Sequence, residues 1–445
     1  MLALFNDLGS KMWANSDSGV RQVTVVSSEQ PGSAMAGPAI RAVNLAIELQ
    51  RSGLAVKLAV PAKPNIELPV PITIFGKPSS KNFRELSQDA DIVVTQPQRL
   101  DVARGLHKGG AKIIYDLYVP SYVEYPASIG LQESDLRANR LRVQRNWMEY
   151  AAAIASGDAF MVATPSQGDY LLGALGQTGR LQDLQRPGGS PPTVVVPFGL
   201  PDEQPGRVNP GPLRGQLVPK DSIIAVWTGG LWNWFDPVTV IRGLSQARRS
   251  DPRLHLVFLG SRNPTSSFLG QGEAEAALKD PEIEAVFTSG GASFASDWVP
   301  YNERWNYLSD ADFAVSAHLD TLETRMSFRT RLLDPLWAAL PTLTTEGGEL
   351  SKRMCQADAA RCLPAQDSGA WSEAMLELAA NPSRRSEMSA AARDLAADYR
   401  WSVATQPLIE LIANLVVRQS PAHSGPGAVK TMRYLSTVAE LRLRR

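Results

Sequence analysis

Val23–Val60 reads VTVVSSEQPGSAMAGPAIRAVNLAIELQRSGLAVKLAV, and its parts set the fold. Val23–Ser27 (VTVVS) is a short β-rich run, followed by a Gly/Ser/Pro loop. Pro38–Arg51 then carries Ile40, Val43, Leu45, Ala46 and Leu49 at helical spacing, up to a stop at Ser52-Gly53. Ala55–Val60 is again apolar and extended. A strand, a helix and a strand in such close succession form a βαβ unit. The strands are largely apolar on both faces, as in a parallel sheet covered by helices on each side.

The same alternation continues along the chain. Strand candidates recur at Asp91–Thr95 (DIVVT), Lys112–Leu117, Asp158–Thr164 (DAFMVAT) and Thr193–Val196, with Asp135–Ala155 as the longest intervening helix. A Pro/Gly-rich stretch, Pro197–Pro219, breaks the pattern and reads as an interdomain linker. Alternation restarts with Ser222–Trp227, the helix Pro237–Arg248 and Leu254–Leu259, and runs on through Glu284–Thr288, Asp312–Ser316 and Pro341–Thr345. Helical segments follow at Ser368–Ala380, Ser383–Tyr399 and Trp401–Arg418. The expectation is an α/β chain of two doubly wound, Rossmann-like domains at 21–200 and 201–400, facing a cleft that holds the ligands. A loose leader (1–20) precedes them; the helix 401–418 and a spacer with a basic tail (419–445) follow.

Composition narrows the class. At 44% hydrophobic and 20% charged the chain is globular rather than disordered, and with no net charge it has no global attraction to nucleic acid. The N-terminus lacks the basic start and long apolar core of a signal peptide, and no apolar run is long enough to span a membrane. Cys355 and Cys362 do not resemble a zinc framework, so the reading is reduced thiols in a reducing cytosol with no structural metal. Peripheral contact with the inner face of a membrane is left open for the basic tail, against a plain solvated helix.

The densest chemistry lies in Glu323–Glu349, ETRMSFRTRLLDPLWAALPTLTTEGGE. Arg325, Arg329 and Arg331 stand beside Asp334 at the start of an apolar helix, and Gly347-Gly348-Glu349 follows. Guanidiniums gathered at a helix start suit a buried diphosphate, because their forked donors match phosphate oxygens and the helix adds free N–H groups.

Together with VVVPFGLP (194–201), VWTGGLWNWFDPVTVIRGL (226–244), WVPYNERWNYLSDADFAVSAH (298–318) and the opening stretch, this segment resembles the retaining, GT-B-fold glycosyltransferases of family 4, particularly bacterial polysaccharide enzymes. The resemblance implies that the second domain holds a nucleoside-diphosphate sugar, that the first holds a glycan or lipid-linked acceptor, and that the last long helix crosses back onto the first domain. It also implies front-face substitution assisted by the departing phosphate, with no cofactor, no required metal, and no residue assigned as base or nucleophile. The family's paired glutamates map poorly: Asp334 occupies the second position, Met326 the first, with Glu323 the nearest carboxylate, and Ala339 replaces a glycine. The usual Arg and Lys after the first strand of the second domain are missing, since Gly229-Gly230-Leu231 leads into WNWFDP.

The candidate donor-diphosphate residues are therefore Arg325, Arg329 and Arg331, with Gly229 and Gly230. Asp334, Glu323, His318, Gly347, Gly348 and Glu349 are candidates for the donor ribose or sugar, Asp334 being equally readable as a helix-start acid. Gly37, Arg41 and Asp116 are the acceptor-side candidates. Trp232 and Trp234 are open to stacking on a ligand or to core packing, and Asp236 before Pro237 reads as an N-cap. Two rival readings are a catalytically inactive GT-B subunit that binds nucleotide sugar or pairs with an active transferase, and a same-fold nucleotide-sugar epimerase or phosphorylase.

Overall fold

The computed structural model describes residues 21–415 apart from 33–34, 129–135, 179, 181–192, 204–209, 261–275, 298 and 301–302. The leader, the spacer with its tail, and the end of the last helix expected from the sequence lie outside the described residues.

The first sheet contains β1 (Gln22–Val26), β2 (Ala55–Val60), β3 (Ile72–Ile74), β4 (Ile92–Thr95), β5 (Lys112–Asp116), β6 (Ala159–Val162) and β7 (Thr193–Val195). Its spatial order is β3-β2-β1-β4-β5-β6-β7, with every pairing parallel. The helices between and after these strands are α1 (Gly37–Arg51), α2 (Ser80–Gln88), α3 (Leu100–Gly109), α4 (Ser121–Ser128), α5 (Leu136–Ser156) and α6 (Pro165–Gln177). Burial on both faces follows directly from the apolar runs: Val23 and Val25 of β1 enter one core cluster and Val26 the other, as do Ile92 and Val94 against Val93 of β4.

The second sheet is built from β8 (Ile223–Trp227), β9 (Leu254–Phe258), β10 (Ala292–Phe294), β11 (Phe313–Ser316), β12 (Thr342–Thr345) and β13 (Ala360–Leu363). Its order is β10-β9-β8-β11-β12-β13, again parallel, so the strand order reverses between β8 and β11. Its helices are α7 (Pro237–Arg248), α8 (Pro281–Thr288), α9 (Arg304–Leu308), α10 (Leu322–Met326), α11 (Leu333–Trp337), α12 (Glu349–Gln356), α13 (Ser368–Ala380) and α14 (Pro382–Ala396). Ile223, Ala225 and Trp227 pack to one side of this sheet, Ile224 and Val226 to the other.

Helix starts follow local chemistry. The Asp236 carboxylate accepts from the Thr239 amide at 3.0 Å with Pro237 at the first position, as the sequence suggested. Thr164 caps α6 in the same way, and Ser79 with Asn82 forms a capping box for α2. The same chemistry corrects one expectation: Glu284–Thr288 is not a strand but the end of α8. Asp280 caps that helix, Pro281 opens it, and Ile283 and Val286 fall on its buried face. The neighbouring strand is β10 instead.

After α14 a short 3-10 turn, Ala397–Tyr399, returns the chain to the first domain. Leu200 N donates to Tyr399 O at 2.7 Å, and Trp401 N donates to Leu200 O at 2.9 Å. Trp401 packs against Phe198 at 5.1 Å between ring centroids, so close to Gly199 that a Cβ there would lie 2.4 Å from the indole. The expected single last helix is two, α15 (Trp401–Ala404) and α16 (Gln406–Asn414), because Pro407 begins a helix well but cannot continue one. Among the described residues no helix is long and apolar enough to cross a membrane. The thiols are also corrected: Cys355 of α12 and Cys362 of β13 are joined in a disulfide, with Cα atoms 6.0 Å apart.

Candidate functional site

Loops leaving the carboxyl ends of β8, β11 and β12 meet where the strand order reverses, the position at which open α/β sheets take ligands. The β8 loop is sewn to the β11 loop: Asp236 N donates to Ala317 O at 3.0 Å, Leu319 N to Trp234 O at 2.9 Å, and Phe235 bridges His318. Trp232 and Trp234 stack nearly parallel at 5.4 Å beside this seam, and Trp234 is buried.

Arg331 lies against that loop. Its Nη1 donates to Thr228 O at 2.7 Å while Thr228 Oγ1 donates to Arg331 O at 3.0 Å. The guanidinium sits 4.1 Å over the Phe235 ring, a cation–π contact. Gly229 is required twice over: its φ is 73°, and a Cβ would stand 2.8 Å from Arg331 Nη1. Gly230, beside it, is buried. Burial first, and Arg304 second, work against the Arg331 charge; a guanidinium nevertheless stays protonated.

Arg329 has a different occupation. At φ 55° it is a non-glycine residue in the left-handed region. That bend turns its side chain under the β12 loop, where Nη1 donates to Thr345 O at 2.8 Å and Nη2 to Glu346 O at 3.0 Å. Gly347 and Gly348, both at positive φ, make room for it, since a Cβ on Gly348 would lie 3.0 Å from Arg329 Nε. With 4% exposure, Arg329 shapes the Gly-Gly loop, and its two terminal nitrogens are engaged by backbone carbonyls. Arg325 lies at the surface, 65% exposed, and reaches Asp320 at 3.5 Å. It lines, with Gly347, Gly348, Glu349 and Lys352, a cavity of about 570 Å³ whose far wall includes Ser166 at the start of α6 in the first domain.

His318 is 1% exposed, its amide donates to Thr345 Oγ1 at 3.0 Å, and its ring meets Phe235 edge-on at 4.7 Å. Burial, then Arg329 and Arg331, hold its pKa well below the ordinary value, so the imidazole is neutral. Nδ1 is buried without a partner. Asp334, a candidate for the donor ribose or sugar, has its Oδ2 engaged by Arg304 Nη1 at 3.0 Å.

The two domains touch beside this cluster. Gln167 of α6 donates from Nε2 to Met326 O at 2.9 Å, across the boundary, and to Tyr118 O at 3.1 Å within its own domain. Glu323, on the same short helix as Met326, is 4% exposed with Oε2 unpartnered. Burial pushes it up to about 7, against the pull of Ser327, Arg329 and Arg331. Glu124 of α4 faces it from the first domain and is pushed up to about 8, by burial and then by Glu323. Two carboxyls so placed hold a proton near neutral pH.

On the acceptor side two of the candidates pair with each other. Arg41 donates from Nε to Asp116 Oδ2 at 2.6 Å and from Nη2 to Asp116 Oδ1 at 3.0 Å; its other bonds go to Val196 O and Pro197 O, both at 2.9 Å. The pair is 1% and 6% exposed. Gly37 opens α1 at the carboxyl end of β1, with no close contact to a built Cβ.

Sequence reasoning missed Thr228, Phe235, Arg304, Gln167 and Glu124. For Arg304 a signal existed: it opens the crossover helix entering β11, on the same edge of the sheet as the arginine-rich stretch. Gln167 and Glu124 have no such signal, because they act across the domain boundary.

No protein-family profile matches the sequence, and no curated protein matches it. Solved structures do resemble it. HepE of Anabaena in complex with UDP-glucose superposes with a TM-score of 0.65 at 13% identity, over 89% of this chain and 100% of that one. Sucrose-phosphate synthase of Thermosynechococcus elongatus gives 0.58 at 17% identity, over 89% and 99%. WaaG, a glycosyltransferase involved in lipopolysaccharide biosynthesis, gives 0.58 at 14% identity, over 88% and 99%. Identities this low speak for the fold alone, and the fold is GT-B: two Rossmann-like domains facing a cleft.

Proposed function

We propose that the chain is a retaining glycosyltransferase that moves a hexose-type sugar from a nucleoside diphosphate to a glycan or lipid-linked acceptor. The observation that carries this reading is Arg331, pinned to Thr228 O against Gly229 at the point where the sheet order reverses. A diphosphate leaving the anomeric carbon gains negative charge as the glycosidic bond breaks. A guanidinium already fixed beside it stabilises that charge without reorganising, and one such donor is typically worth about 3 kcal/mol. Support also comes from HepE, which shares the fold and has been solved with UDP-glucose. The 570 Å³ cavity between Ser166 and the Gly347-Gly348 loop is the space assigned to the sugar and the acceptor hydroxyl, and closure of the domains over it excludes water. In this reading guanidiniums rather than a metal neutralise the leaving group, and the acceptor hydroxyl gives its proton to the departing phosphate.

The test is thermal stabilisation by UDP, GDP, dTDP and ADP on wild type and Arg331→Ala, followed by donor turnover with NMR of the product anomer. A ligand at about 100 times its dissociation constant adds roughly 2.7 kcal/mol. One nucleotide should stabilise the wild type and lose its effect in the variant, and the product should keep the donor's anomeric configuration. A donor that binds but is only isomerised, or is never turned over with any acceptor, overturns the proposal.

A further inference from the structure

With Arg329 committed to the β12 loop and Arg325 outside the buried cluster, Arg331 is left as the one sequence-predicted arginine at the switch point. A single guanidinium is a thin complement for a diphosphate. We propose that Arg304 is its second cation, held by Asp334 in the empty site and turned onto the donor's diphosphate beside Arg331 when the nucleotide sugar binds. This inference rests on the donor-site reading above and extends it to a residue that reading did not contain.

The geometry supplies three arguments. First, placement: α9 follows β10 and α11 follows β11, so both helices begin on the carboxyl edge of the sheet, where the cleft lies. Trp305, next to Arg304, packs edge-on against Trp337 of α11 with ring centroids 4.9 Å apart, which fixes the two helices together at the point where Arg304 meets Asp334. Second, accessibility: Arg304 and Asp334 are 17% and 20% exposed, so the pair is screened but not sealed. The Arg41–Asp116 pair, by contrast, is closed to solvent. Third, charge balance: Arg304, Arg329 and Arg331 gather around Asp334 and Glu323, and burial pushes the Glu323 carboxyl up to about 7. Among charged neighbours Arg304 bears most on Arg331, ahead of Asp334 and Glu323. A half-buried group of like charges is stabilised by an incoming polyanion. Forked donors from two different helices then grip it on two sides.

Calorimetric titration of the nucleoside mono- and diphosphate of the preferred base distinguishes this role from a structural one. The proteins are wild type, Arg304→Ala, Arg304→Lys and Asp334→Asn, each checked for an unchanged melting profile. Arg304→Ala is expected to weaken the diphosphate by about tenfold to a hundredfold, with the monophosphate changing far less. Arg304→Lys should restore part of the loss. Asp334→Asn should keep diphosphate affinity or raise it, because it releases Arg304. Equal weakening of both nucleotides by Arg304→Ala and Asp334→Asn would reduce Arg304 to a structural partner of Asp334 and overturn the inference, as would unchanged affinity in Arg304→Ala. Failure of wild type to bind any of UDP, GDP, dTDP and ADP removes the donor-site reading itself, a separate result from either of these.

Discussion

Each domain places an arginine at the carboxyl edge of its parallel sheet, Arg41 buried and Arg331 half-buried, yet the two have opposite fates. In the first domain Arg41 is satisfied by Asp116, Val196 O and Pro197 O and covered by Tyr118. In the second, Arg331 has one pinned nitrogen, an aromatic floor, and a like charge as its strongest charged neighbour. The first constellation closes on itself and ties α1 to β5 and to the end of β7. In the second, Arg304 bears on Arg331 more strongly than either Asp334 or Glu323 does. On the donor-site proposal, the balance of its partners is what sets the binding arginine apart from the structural one.

Substitution in each domain should break that comparison in opposite ways. Arg41→Ala leaves the Asp116 carboxylate buried and unpaired, and urea unfolding should show a loss of about 3–5 kcal/mol. A loss under about 1 kcal/mol would mean that Asp116 finds water or another donor, and the contrast would fail. Arg331→Ala should instead leave unfolding nearly unchanged, since burial opposes that charge, while transfer falls on the order of 100-fold. Collapse of stability together with activity would place Arg331 in the same class as Arg41.

The carboxyl pair across the boundary sharpens the comparison through pH. Glu124 and Glu323 have folded pKa values of about 8 and about 7, above the ordinary range near 4.5. The folded chain therefore keeps protons that the unfolded chain releases. Their contribution is most favourable below about pH 4.5 and is lost as pH rises through about 8. Wild type should lose stability over that window relative to Glu124→Gln, as followed by melting at matched ionic strength; parallel curves would remove the pair from the account. The smallest expected effect is that of a chelator. Millimolar EDTA should leave transfer unchanged if guanidiniums neutralise the leaving group, and a loss restored by magnesium would contradict that.

Much of the fold was legible because parallel strands buried on both faces are continuous apolar runs. Ala55–Val60 and Ser368–Ala380 were read to the residue, and Asp312–Ser316 and Pro341–Thr345 to within one. What escaped is what lacks that signature. β3 is a three-residue edge strand, β13 carries Arg361, and α8 hides an apolar face behind a proline and acidic first turn. The site was legible only as a neighbourhood. Spacing grouped Arg325, Arg329 and Arg331 but gave no sign that Arg329 takes a left-handed backbone and turns beneath the Gly-Gly loop, or that Asp334 is taken by a residue from another crossover.

The return of the chain to its first domain also has a consequence in time. Trp401, Leu408, Ile409 and Ile412 belong to the same apolar cluster as Val23, Leu58 and Ile114. The ribosome completes β7 long before it makes them. At about 5–20 residues per second, the roughly two hundred residues between Leu200 and Trp401 take on the order of 10–40 s. Throughout that interval the nascent first domain carries an open apolar groove along α1 and Phe198, a natural place for a chaperone to sit. Ribosome-bound chains ending before Trp401 should therefore be cut by protease within the first domain, and chains extended past Asn414 should resist. In this fold a segment made after the whole second domain is the one that seals the first.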